Sequence, residues 1–116
     1  MSRALFLSPM VPTFKPEETL AFFKDLLGFA AVMESDTYWV LIKDGLTVHL
    51  LPAGPDIGQM EFYLEVEDVD ALWAEVEDRV TEIRHRAPFD RDYGMREAHL
   101  DIPGTNCLLF IGQSIR

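Results

Sequence analysis

The strongest constraint on this chain is a repetition of order. Residues 4–52 and residues 60–112 each read as strand, helix, strand, strand, strand, with the halves offset by about fifty residues. In the first half, Ala4–Thr13 is apolar and strand-like. Pro9 and Pro12 cannot donate to a ladder, so this strand belongs at a sheet edge. Pro16–Leu27 predicts a helix: Pro16 suits its first position, and Glu17 and Glu18 complement the positive end. Leu20, Phe23 and Leu27 share one face, and Gly28 stands where a helix stops. Phe29–Ser35, Thr37–Lys43 and Leu46–Leu51 read as strands, with Asp44-Gly45 as a tight hairpin turn. Pro52–Gln59 reads as the linking loop.

The second half repeats the pattern. Met60–Val66 alternates, with Glu61, Tyr63 and Glu65 on one side of the strand. Asp68 suits the N-cap of a helix reaching about Arg79, with Val69, Leu72, Val76 and Val80 as its apolar stripe. Thr81–Ala87 is expected as a strand and Phe89–Tyr93 as a polar loop. Met95–Ile102 and Asn106–Gly112 are expected as strands around a Pro103-Gly104 turn. Two βαβββ modules in one domain, 1–116, imply an α+β fold: a curled mixed sheet with its helices on one side and a central cleft.

Composition narrows the function. A chain of 116 residues has room for one core. Twenty acidic residues against ten basic ones give a net charge of −10, which argues against nucleic acid and anionic lipid and leaves cationic small molecules as compatible partners. The single cysteine, Cys107, makes no internal disulfide, and no apolar run reaches membrane-span length, so a cytoplasmic protein is expected. Cys107 reads as a core filler in the closing strand, and His85 as a solvated residue between Arg84 and Arg86. His99, alternating with Glu97 and Asp101, is an acid–base candidate or a partly exposed histidine beside carboxylates.

Several segments resemble the glyoxalase/bleomycin-resistance/extradiol-dioxygenase (vicinal oxygen chelate) superfamily. Leu20–Phe29 is similar to its helix ending in LGF, and Val66–Leu72 to its V-x-D-V-D-x-L helix entry. Asp92-Tyr93-Gly94-Met95-Arg96-Glu97 resembles the PWGMREF signature of the bleomycin-resistance branch, with Tyr93 in place of tryptophan. Asp101–Cys107 resembles the DPDGNxL turn that follows. The resemblance implies a homodimer, in some members with the N-terminal strand exchanged beyond a proline; Ser8-Pro9 lies at that place. It also implies four metal-ligand positions, which fall approximately on Ser8, His49, Glu61 and Leu108. Leu108 cannot ligate and Ser8 is a poor ligand, leaving His49 and Glu61 as half a site that water or a shifted donor, with His99 and Glu97 nearby, would complete.

The ligand-contacting set is therefore expected to comprise Tyr38, Trp39, His49, Glu61, Tyr63, Tyr93 and Arg96. Aromatic planes offer stacking and cation–π contact, and carboxylates pair with ammonium groups. By resemblance, Tyr38 and Tyr93 take the places of the aromatic residues that hold the planar part of a bleomycin in an inter-subunit crevice. Arg96 reads as a ligand contact or as a structural ion-pair partner. The expectation is a metal-free antibiotic-resistance-type binding protein with no catalytic residue and no cofactor. The alternative is a lyase or dioxygenase using a divalent metal on His49 and Glu61.

Overall fold

The computed structural model describes residues 2–116. The first module comprises β1 (Met10–Thr13), α1 (Pro16–Ala21), β2 (Ala30–Glu34), β3 (Trp39–Lys43) and β4 (Leu46–Pro52). The second comprises β5 (Met60–Glu65), α2 (Val69–Val76), β6 (His85–Asp90), β7 (Met95–Asp101) and β8 (Cys107–Ser114). The curled mixed sheet takes the form of two four-stranded mixed sheets with identical topology, β1-β4-β3-β2 and β5-β8-β7-β6. In each, the first strand of the module runs parallel to the last, and the other neighbours are antiparallel.

Each helix covers one face of its own sheet. Val11, Trp39, Leu41, Val48 and Leu50 are buried with Phe22, Phe23, Leu27 and Phe29 of the first module. Ala98, Leu100, Leu109 and Ile111 are buried with Val69, Trp73, Val76 and Val80 of the second. Asp68 caps α2 by accepting from the Ala71 amide at 3.0 Å. Asp44 and Gly45 both take positive φ, 51° and 78°, as the I′ hairpin between β3 and β4 requires. The modules are stitched together where α1 begins. Thr19 Oγ1 donates to the Pro103 carbonyl at 2.7 Å, and the Phe14 amide to the Gly104 carbonyl at 2.7 Å. A β-carbon on Gly104 would sit 2.9 Å from the Lys15 carbonyl oxygen, so this approach requires glycine.

Three sequence expectations are corrected. The first strand is Met10–Thr13, not Ala4–Thr13: pairing begins only where the Pro9 carbonyl accepts from the His49 amide at 3.0 Å, and Leu5, Phe6 and Leu7 remain exposed. It does occupy a sheet edge, as its prolines demand. The first helix is regular only to Ala21. Phe22–Leu26 continue as a wider π turn, and Phe22, Phe23 and Leu27 all turn inward. The sixth strand runs His85–Asp90 rather than Thr81–Ala87, so Phe89 and Asp90 belong to the sheet and not to a loop. The physical reason is a bulge. Arg86 pairs with His99, but Phe89, three residues on, pairs with Glu97, only two residues back on the partner strand. Pro88 lies in the bulge, where its missing N–H costs no ladder bond.

Candidate functional site

The face of each sheet turned away from its helix is open, and pairing register decides which side chains it shows. On the second sheet, Ala98 and Leu100 turn to α2, so Glu97 and His99 turn to the open side. Their partners Gly112 and Phe110 on β8 lie on that side. So do Tyr63 and Glu65 on β5, which are level with Phe110 and Gly112.

Glu97 is the centre of this face. Its side chain is fully buried, an expensive position for a carboxylate unless every lone pair is used. All are used. Oε1 accepts from Arg91 Nη1 and from His99 Nε2, each at 3.0 Å. Oε2 accepts from the Tyr63 hydroxyl at 3.0 Å and from the Tyr93 hydroxyl. Burial alone would push the acid up. The hydrogen bonds from His99, Tyr93 and Tyr63, with the Arg91 charge, outweigh it and hold Glu97 below the usual carboxylate range. The phenols respond in the opposite sense. Burial, followed by the hydrogen bond to Glu97, drives Tyr63 far above its ordinary value, and the Glu97 bond raises Tyr93. Both hydroxyls are thus fixed as donors while the two residues stay 42% and 48% exposed.

Around this hub the face is aromatic. The His99 ring stacks on Phe110 with centroids 4.0 Å apart and meets Phe89 edge-on at 5.3 Å. Tyr63 lies 6.3 Å from Phe110. Because a carboxylate only accepts, His99 Nε2 carries the proton shared with Glu97.

The sequence-predicted residues divide. Tyr63 and Tyr93 are brought together on Glu97, with Glu61 and Glu65 exposed beside Tyr63 on the same strand. Tyr38 and His49 form a separate pair on the first sheet, with the Tyr38 hydroxyl 2.8 Å from His49 Nδ1. Trp39 turns the other way, into the core, at 7% exposure. Arg96 turns toward α2 and is held by Asp70 at 3.0 Å and Asp90 at 2.9 Å, which is the structural alternative. The sequence reading named Glu97 only as a nearby metal donor and did not assign Arg91, Phe89, Phe110 or Gly112 to the site. The one signal for part of this set was Pro88, which marks the bulge that turns Phe89 to the open face.

The metal-ligand positions do not supply a donor set. The cross-strand neighbours of His49 are Met10 and Val40, and that of Glu61 is Leu108, none of them a metal donor of the N/O kind. Ser8 Oγ donates to the Thr47 carbonyl at 2.9 Å. Among the described residues, no three of His, Cys, Asp and Glu gather around a common point. The residues present do not fit the three N/O donors that a resident divalent cation needs.

The family model for the Glyoxalase/Bleomycin resistance protein/Dioxygenase superfamily matches residues 6–106. The chain belongs to this superfamily. Solved structures of the same fold include a bleomycin-binding protein complexed with bleomycin, 21% identical with a TM-score of 0.78, covering 96% of this chain and 99% of that one. An antibiotic binding protein, TnmS3, from Streptomyces sp. CB03234 is 18% identical with a TM-score of 0.81 over 98% of both chains. A lactoylglutathione lyase from Agrobacterium tumefaciens is 14% identical with a TM-score of 0.78, covering 97% of this chain and 96% of that one. No curated protein matches the chain by sequence. Binders and a lyase share the superfamily fold, so the choice between them rests on the side chains. No helix among the described residues is long and apolar enough to cross a membrane.

Proposed function

We infer that the protein captures an aromatic small molecule by stacking, without a metal, on the open face of its second sheet. The observation that carries this reading is the convergence of Tyr63 and Tyr93 on the buried carboxylate of Glu97, which leaves both residues half exposed and conformationally fixed. Rings immobilised in advance lose little entropy on binding. Glu61 and Glu65, exposed on either side of Tyr63, offer carboxylates to a cationic group on the ligand. This is the chemistry of sequestration, and antibiotic-binding relatives share the fold.

The second sheet's face would be completed by another copy of the chain. Met10, Val32 and Met33 of the first module are exposed, as are Leu5, Phe6 and Leu7 ahead of Pro9. An apolar surface of this kind marks a contact, and a homodimer with its N-terminal segment exchanged at Ser8-Pro9 would cover it. Sedimentation of the full chain and of a chain lacking residues 2–7 tests the assembly: a dimer lost or weakened on truncation supports exchange.

The binding reading is tested by calorimetric titration of tag-free, chelator-treated protein with metal-free bleomycin, and separately with Zn²⁺ or Ni²⁺. Saturable drug binding near one per subunit, lost in Tyr93→Ala and with no heat from metal, supports it. Saturable metal binding abolished by His49→Ala overturns it in favour of a metal-dependent lyase or dioxygenase.

A further inference from the structure

The open face of the second sheet is not uniformly acidic. Its β5 edge carries Glu61 and Glu65, but its β6 edge carries Arg86, with Arg84 just ahead of the strand. In a chain with twice as many acids as bases, the state of Arg86 is unexpected. Arg84 is paired with Asp101 at 2.9 Å, Arg91 with Glu97, and Arg96 with Asp70 and Asp90. Arg86 makes no ion pair among the described residues. Its guanidinium lies over the Phe89 ring, 3.6 Å from the centroid. That contact exists only because the β6 bulge sends residues 86 and 89 to the same face; in a regular strand, an odd spacing puts them on opposite faces.

A guanidinium seated over a ring and engaged by no acceptor keeps its N–H donors free, and those donors match an oxyanion. Beside it opens a cavity of about 170 Å³ lined by Arg84, His85, Arg86, His99, Asp101 and Leu108. The one carboxylate there, Asp101, is engaged by Arg84. His99 uses Nε2 on Glu97, and its Nδ1 has no partner among the described residues. Since no buried side-chain nitrogen or oxygen is left unpartnered, Nδ1 is open to solvent or ligand.

We propose that Arg86, on its Phe89 shelf, is an oxyanion subsite of the ligand-binding face, so that the captured molecule is an aromatic compound carrying a carboxylate or comparable anion. This rests on the aromatic-capture reading and deepens it. Three inter-strand steps of about 4.8 Å separate β5 from β6, so roughly 14 Å lies between the acidic and basic edges. The aromatic residues Tyr63, Phe110, His99 and Phe89 fill the interval. A dipolar ligand, with its ammonium toward Glu61 and Glu65 and its carboxylate toward Arg86, matches all three zones.

The test uses the full-length, tag-free protein and two probes of one shape, 2-naphthoate and 2-naphthylmethylammonium. Binding is followed by NMR at the arginine side-chain N–H and histidine ring signals. The expected result is saturable binding of naphthoate with shifts at Arg86 and His99. Arg86→Gln, at a surface position, weakens naphthoate at least tenfold, Arg86→Lys restores part of the affinity, and neither weakens the ammonium probe. Phe89→Leu, which removes the shelf, also weakens naphthoate. Equal naphthoate affinity in wild type and Arg86→Gln overturns the subsite. So does an Arg86→Gln variant that weakens self-association but not naphthoate binding, because Arg86 is then a contact between copies. Ammonium binding at Tyr63 and Tyr93 without any naphthoate shift at Arg86 overturns the subsite and leaves aromatic capture standing. Binding of neither probe at this face overturns both.

Discussion

The Tyr63 hydroxyl occupies the space that a β-carbon would take on Gly112. The two residues lie on different strands of the second sheet, and only a glycine at 112 lets the tyrosine reach Glu97, whose Cγ also borders the gap. Gly112→Ala is therefore expected to displace Tyr63 and break its bond to Glu97. Overpacking of this kind costs about 1–3 kcal/mol. Denaturant midpoints check the stability, and the Tyr63 phenol of the variant should ionise closer to its ordinary value.

Removing the carboxylate is expected to be more damaging. Glu97→Ala leaves Arg91, His99, Tyr63 and Tyr93 without their common acceptor, which is itself fully buried. Loss of one member of a buried charged network costs about 3 kcal/mol. Urea unfolding of Glu97→Ala beside Tyr63→Phe separates the two contributions, because the phenylalanine deletes one donor and keeps the rest. The larger midpoint loss is expected in Glu97→Ala.

Acid should act through the same group. Glu97 titrates below its ordinary value of 4.5 in the folded chain. A depressed carboxylate contributes stability that is complete above the unfolded value and is lost as pH falls through the folded one. Wild type is therefore expected to lose more stability between about pH 5 and pH 3 than Glu97→Gln, measured by thermal unfolding across that range.

Alkali should act in the opposite direction. Tyr63 and Tyr93 are both raised above 10.0, so their contribution is complete below that value and is lost as pH rises through the folded ones. Phenolate absorbance at 295 nm is expected to lag in the native protein above pH 10 and to reach its full amplitude once the fold is lost. In Glu97→Gln the lag should shrink.

The helix cap offers a test independent of the site. Asp68→Ala removes the acceptor for the Ala71 amide and is expected to cost about 1 kcal/mol by denaturant unfolding.

The βαβββ order was legible because its signals are local: the alternation of Met60–Glu65, the Asp44-Gly45 turn and the Asp68 cap each depend on a few neighbouring residues. The candidate site was legible only in part. Tyr63 could be placed on one strand face by parity, but Glu97 as its acceptor depends on β5, β8 and β7 lying side by side, with 34 residues separating the two. Trp39 and Tyr38 show how little separates success from failure: one residue apart, they point to opposite sides of the sheet. The sixth strand was misplaced because a bulge resets the alternation that sequence reading relies on, and Pro88 alone does not say by how many residues.

That reset has an evolutionary consequence. Within a regular strand, a one-residue change of length turns every side chain beyond it to the other face. At Ala87-Pro88, deleting a single residue would restore regular alternation and still leave Arg86 opposite His99 and Phe89 opposite Glu97, both on the open face. The bulge is thus a place where the length of this edge can change by one residue while the face it presents, and the rest of the sheet, are inherited intact.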